Sequence, residues 1–199
     1  MPTAKQELTP GVIDSILQET LPKLLSELKS SLWYVSEHAV VNLFVFGYLV
    51  PAFQKLPAFQ EYGWDLTLMG MEASVLQIEK ATPCKLGTRK DIVFWRQPRS
   101  TRWKGYDLLP AFDKDYVREH GCKPLAVVEW KNISRFTLKA NKVKTDHERD
   151  VEWLRDNLQM KMLDLGYAIL VDQRNEGSPT LACQRITRER EDKQFLVLP

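Results

Sequence analysis

The sequence predicts a mixed α/β fold: a central mixed β-sheet flanked by helices. Three observations predict it. Leucines and other apolar residues recur at helical spacing near the N-terminus and again between residues 145 and 165. Short, β-branched, almost wholly apolar runs read as buried strands: Asp91 to Trp95 (DIVFW), Leu125 to Trp130 (LAVVEW) and Tyr167 to Val171 (YAILV). The order α-α-β-β-β-α-β then predicts a mixed sheet flanked by helices.

The first helix is expected from Thr9 to about Leu28. Thr9 can cap it, Pro10 suits its first position, and Leu17, Leu21, Leu24, Leu25 and Leu28 form its apolar stripe. A second helix is expected from Ser31 to about Val50, ended by Pro51. Leu32, Val35, Ala39, Leu43, Phe46 and Val50 form one stripe, and Val40, Val41, Phe44 and Val45 fill other faces, so this helix should be buried. Glu37 near its start then needs a partner or a metal.

From Asp65 to residue 79 one or two strands are expected, then a turn at Pro83 and Gly87, then the Asp91 strand. Residues 96–124, with Pro98, Gly105, Pro110, Gly121 and Pro124, read as a long irregular insertion, a kind of connection that often carries function. After the LAVVEW strand, Thr145-Asp-His-Glu148 has the form of a capping box that starts a third helix. Val151, Leu154, Leu158, Met162 and Leu165 are its stripe and Gly166 its stop. Thr180 to Ile186 and Phe195 to Leu198 read as further edge strands. The whole reads as one domain over 1–199, with the N-terminal helices at 9–50 and the insertion at about 96–124.

Composition bounds the class. The chain has 199 residues, 44% hydrophobic and 27% charged, with a formal net charge of +2, an ordinary globular balance. Its three cysteines, Cys84, Cys122 and Cys183, form no CxxC pair, which argues against a disulfide framework or a thiolate zinc site and for a reducing, cytoplasmic setting. The N-terminus has no apolar signal-peptide core, and the most apolar stretch, Ala39 to Val50, is too short for a membrane span.

Chemistry concentrates where charge breaks into apolar strands. Glu129 and Lys131 close a buried strand, and the period of two puts them on one face. Asp91 heads the neighbouring strand. Two carboxylates converging from adjacent strands make an oxygen-rich point suited to Mg²⁺, and a lysine beside them can act on a metal-bound water and balance phosphate charge. Structural roles fit the same residues: a strand-end salt bridge for Glu129 and Lys131, a strand-start residue for Asp91, and a first-turn carboxylate favoured by the helix dipole for Glu37.

With Asp91 in RKDIVFW and Glu129 and Lys131 in VVEWK, the sequence resembles the restriction-endonuclease-like PD-(D/E)xK nuclease superfamily over roughly residues 32–172, by order of elements rather than extended identity. The resemblance implies an α-β-β-β-α-β core and a metal-dependent endonuclease. Asp91 and Glu129 would bind Mg²⁺ or Mn²⁺ with the Trp130 carbonyl, Lys131 would act on the water, and Glu37 matches an acidic residue that many members carry on the preceding helix. Lys90 stands where a proline often precedes the first Asp, and the 96–124 insertion is long, which leaves the subfamily open.

Basic residues flank these positions. Lys85, Arg89, Lys90, Arg96, Arg99, Arg102 and Lys104 face one acid, Asp91, in their segment. Lys131, Arg135, Lys139, Lys142 and Lys144 follow with no acid among them. Such runs bind phosphate backbones, and Trp95 and Trp103 are placed to stack on unpaired bases. Trp33, Trp64 and Trp153 are expected in the core. His38, His120 and His147 are scattered without zinc spacing, and His147 reads as a helix-start residue. No phosphate-loop, dinucleotide or GxSxG motif occurs. The expected partner is nucleic acid, DNA ahead of RNA by resemblance, with no membrane. Cleaving both duplex strands calls for a homodimer or a larger complex. The rival is a non-catalytic nuclease-like nucleic-acid-binding subunit.

Overall fold

The computed structural model describes residues 8–30, 36–56, 69–77, 85–95, 124–175, 178–189 and 191–196. It is a mixed α/β arrangement in which six strands form one sheet in sequence order: β1 (Met69–Gln77), β2 (Lys85–Trp95), β3 (Pro124–Ile133), β4 (Leu165–Asp172), β5 (Thr180–Ile186) and β6 (Glu191–Leu196). Among the described strands only the β3–β4 pair is parallel, and α4 (Ala140–Gln159) is its crossover; the other neighbours run antiparallel.

Helix α1 (Pro10–Ser30) starts as its sequence dictates. The Thr9 hydroxyl accepts from the Val12 N–H at 3.3 Å, and Pro10 has no N–H to satisfy. Its buried leucines pack with those of a second helical stretch against Phe94, Val128, Trp130, Tyr167 and Ile169 on one face of the sheet. The opposite face meets α4 through Val93, Trp95, Val127, Ala168, Val151, Leu154 and Leu158.

The second helical stretch departs from expectation twice. It begins at α2 (Glu37–Asn42), capped by Ser36, rather than at Ser31; residues 31–35 lie outside the described residues. It also runs past Pro51. Residues Leu43–Leu49 are π-helical, and α3 (Val50–Phe53) continues from them with Pro51 as its second residue. The wider turn keeps the buried pairs Val40 and Val41, Phe44 and Val45, and Leu49 and Val50 facing the sheet although the last spacing is five residues.

Helix α4 begins at Ala140, not at the Thr145 capping box. The Thr145 hydroxyl instead donates back to the Asn141 carbonyl at 3.1 Å, a bond open to threonine inside a helix. Gly166 does not stop α4, which ends at Gln159, followed by Lys161 with φ of 59°. Gly166 lies in β4 directly under Leu154, where a Cβ would come within 3.1 Å of the leucine side chain. It is glycine because strand and helix approach closely there. Among the described residues no helix is long and apolar enough to cross a membrane. The 96–124 insertion, except its last residue, lies outside the described residues.

Candidate metal and phosphate site

Strand β2 leaves β3 at the point where the charged residues gather. Their ladder runs from Trp95–Pro124 to Ile92–Val128 and ends there. Beyond it, the Trp130 and Asn132 N–H groups of β3 need acceptors, since an unmet buried donor costs about 1–3 kcal/mol. Asp91 supplies one: its Oδ2 accepts from the Trp130 N–H at 2.6 Å. Glu37 supplies the other: its Oε2 accepts from the Asn132 N–H at 3.2 Å. The seam thus holds two carboxylates because the backbone asks for acceptors there.

The Trp130 carbonyl accepts from Lys131 Nζ at 2.8 Å, and the same ammonium lies 3.0 Å from Asp150 Oδ2 on α4. The Trp130 indole is buried and tilted against Phe44, at 5.4 Å between centroids, so only its main chain serves the seam. Glu129 is buried under α4 in an ion pair with Lys90, whose ammonium also lies 3.8 Å from the centre of the Trp153 ring. A salt bridge does form at the strand end, but Glu129 and Lys131 each pair with a different residue rather than with one another.

Four carboxylates, Glu37, Asp91, Glu129 and Asp150, therefore face two ammonium groups, Lys90 and Lys131. Counted over these described side chains, and fully ionised, four carboxylates stand against two ammonium groups. Desolvation, only partly offset by Lys90, and repulsion from Asp150 and Asp91 push the Glu129 carboxyl up to about 7. Burial likewise raises Glu37, against the pull of Lys131 and with the push of Asp91. Burial lowers the Lys131 ammonium, but Asp150 and Glu37 outweigh it and hold the group charged. His147, one turn from Asp150 on α4, is kept neutral by burial, and its buried Nδ1 has no hydrogen-bond partner.

The residues singled out from sequence are thus placed as follows. Asp91, Glu129, Lys131, Glu37 and the Trp130 carbonyl converge on one seam. Lys90, expected on the phosphate-binding surface, is instead buried at 4% exposure because it neutralises Glu129. Trp95, expected to stack on bases, is a core residue beneath α4. Arg135, Lys139 and Lys142 are exposed beyond the end of β3. Lys85 and Arg89 lie on β2 with side chains outside the described residues, as do Arg96, Arg99, Arg102, Trp103 and Lys104 altogether. Trp153 is half-buried under Lys90, while Trp33 and Trp64 lie outside the described residues.

Asp150 was not anticipated. Its signal is an acid on the inward stripe of α4, one turn from Leu154 and His147. Gln173, just past β4, was not anticipated either: it is 3% exposed, and neither end of its amide has a partner.

The donor set is all hard oxygen, and among the described side chains carboxylates outnumber ammonium groups, so the chemistry fits Mg²⁺ or Mn²⁺. Among the described residues no three His, Cys, Asp or Glu side chains form a ready-made metal cluster; the fit is with two carboxylates and a main-chain carbonyl, and it requires the Lys90 ammonium to yield Glu129. Comparison with protein-family models, with curated proteins and with solved structures found no match.

Proposed function

We propose that the chain is a restriction-endonuclease-like, metal-dependent nuclease that hydrolyses phosphodiester bonds of nucleic acid, with DNA the favoured substrate. The observation that carries this is the seam itself, where β2 parts from β3 and Asp91, Glu129, Glu37, Lys131 and the Trp130 carbonyl meet. The element order around it, helix, three strands, crossover helix and parallel strand, supports the same reading.

Asp91, Glu129 and the Trp130 carbonyl would hold Mg²⁺ or Mn²⁺, with Glu37 beside them. Bound there, the cation would supply Lewis acidity and lower the pKa of water. Lys131 stays protonated, fixed by the Trp130 carbonyl and Asp150, and presents its charge to a phosphate oxygen while it orients the attacking water. Burial of Glu129 beneath α4 excludes bulk water from one side and strengthens each of these electrostatic contacts.

Pairing of both lysines with carboxylates favours a second reading, a nuclease-like nucleic-acid-binding subunit without turnover. A cleavage assay separates the two. Single-stranded, duplex and branched DNA and RNA would be incubated with Mg²⁺, Mn²⁺ or EDTA, using wild type, Asp91→Asn and Glu129→Gln. Metal-dependent cleavage lost in both variants is the expected result. Binding without cleavage under every condition favours the subunit reading, and cleavage in EDTA overturns the mechanism.

A further inference from the structure

The chain just past β3 carries a feature that the seam does not use. Ser134 and Thr137 lock a tight turn: the Thr137 N–H donates to the Ser134 carbonyl at 3.0 Å, and the Ser134 N–H donates to the Thr137 hydroxyl at 2.9 Å. The Phe136 N–H donates to the Ser134 hydroxyl at 3.3 Å. This rigid turn holds two apolar side chains in solvent, Phe136 at 67% and Leu138 at 98% exposure. Large apolar groups on a pre-built turn are displayed at a desolvation cost that a partner can recover. The Arg135 guanidinium lies 4.9 Å from the centre of the Phe136 ring. Lys139, Lys142 and Lys144 are exposed on the following turns, and no acid occurs between Lys131 and Asp146.

A protein-binding apolar patch would not call for this density of one charge. Aromatic surface set among cations matches the two halves of a nucleotide, a π-face and a phosphate. The turn begins about 10 Å beyond Lys131, taking three residues at the strand rise. We infer that Phe136, backed by Arg135 and Leu138, is a stacking platform for an unpaired base of the strand whose phosphates run along Arg135, Lys139 and Lys142 toward the seam. The proposal rests on the nucleic-acid reading above but needs neither metal nor turnover. It assigns the chain a preference for single-stranded, frayed or flipped nucleotides over fully paired duplex.

The test is equilibrium binding of the full chain, in EDTA, to a fluorescent single-stranded oligonucleotide and to its blunt duplex. Phe136→Ala is expected to weaken single-strand binding about 5- to 100-fold, the range for loss of one base–aromatic stack. Phe136→Trp should restore it, and the salt dependence should be unchanged in both. Lys142→Ala should instead lower the slope of log affinity against log salt by about one phosphate contact. Because Phe136 is exposed, loss of folding is not expected, and circular dichroism checks it. Equal single-strand affinity of wild type and Phe136→Ala overturns the platform, as does a Phe136-dependent change in oligomeric state with binding unaltered. Cleavage that persists in Phe136→Ala with unaltered affinity removes the platform and leaves the proposed function standing. Absence of binding by the wild type at low salt removes both.

Discussion

Two polar clusters lie at different places on the same sheet, and they differ in how their described charges are matched. On the α1 side, Arg185 grips Asp14 with two bonds of 2.7 and 2.9 Å, and the Tyr167 hydroxyl donates a third. Burial raises the Asp14 carboxyl, but Arg185 and Tyr167 outweigh it and hold it below its ordinary value. One carboxylate meets one guanidinium, and the arrangement ties α1 to β4 and β5. At the seam, four carboxylates meet two ammonium groups, and Glu129 is pushed up to about 7. The first cluster pairs one to one; in the second, the described carboxylates outnumber the described ammonium groups. A carboxyl held below its ordinary value by a matched partner is structural, and a buried one pushed up, as Glu129 is, marks where chemistry is to be sought.

The largest expected effect breaks the comparison at its reactive side. Lys131→Ala should lower the proposed metal-dependent cleavage by about 10²-fold or more, the scale of a lost electrostatic donor to developing charge, while Arg185→Ala should leave the rate per folded molecule unchanged. Single-turnover kinetics on both variants measure this. Lys90→Met comes next. Removing the cation from buried Glu129 should cost about 3–5 kcal/mol of stability without metal, and millimolar Mg²⁺ or Mn²⁺ should recover more of it than in wild type. Thermal denaturation with and without metal reads both numbers. Arg185→Ala should cost about 2 kcal/mol, since it leaves a partly buried Asp14 bonded only by neutral donors, and no metal should rescue it.

The smallest effect is in pH, and its sign differs between the clusters. Asp14 titrates below its unfolded value of 3.8, so its stabilisation is present above that pH and is lost as pH falls through the folded value. Glu129 titrates at about 7 folded against 4.5 unfolded, so its contribution is present below 4.5 and is lost as pH rises through about 7. Melting curves between pH 4.5 and 8 should therefore flatten in Glu129→Gln, while Asp14→Asn should alter only the acid limb.

The strands at the centre of the sheet were legible because β-branched apolar runs have few other uses. The meeting of Asp91, Glu129, Lys131 and Glu37 was legible for a related reason: charges at the heads and ends of buried strands must find partners. What the sequence did not display was the parting of β2 from β3. That geometry turns Lys90 inward, and a basic residue in a basic run gives no local sign of it. Pro51 misled because the π-helical stretch before it changes which N–H groups are needed. The Thr145 capping box misled because a threonine hydroxyl serves equally well inside a helix, bonded one turn back. Asp150 was hidden by the habit of reading acids on helices as solvated.

The seam's carboxylates hold up the sheet as well as lining the proposed cation site, and that constrains how such a chain can change. Asp91 and Glu37 each satisfy a β3 N–H that has no ladder partner. Replacing either with an apolar residue removes charge and an acceptor together, so chemistry and folding fail at once. An amide at either position keeps the acceptor and discards only the charge. On the proposed function, the open route to an inert chain of the same shape therefore runs through Asp91→Asn or Glu37→Gln.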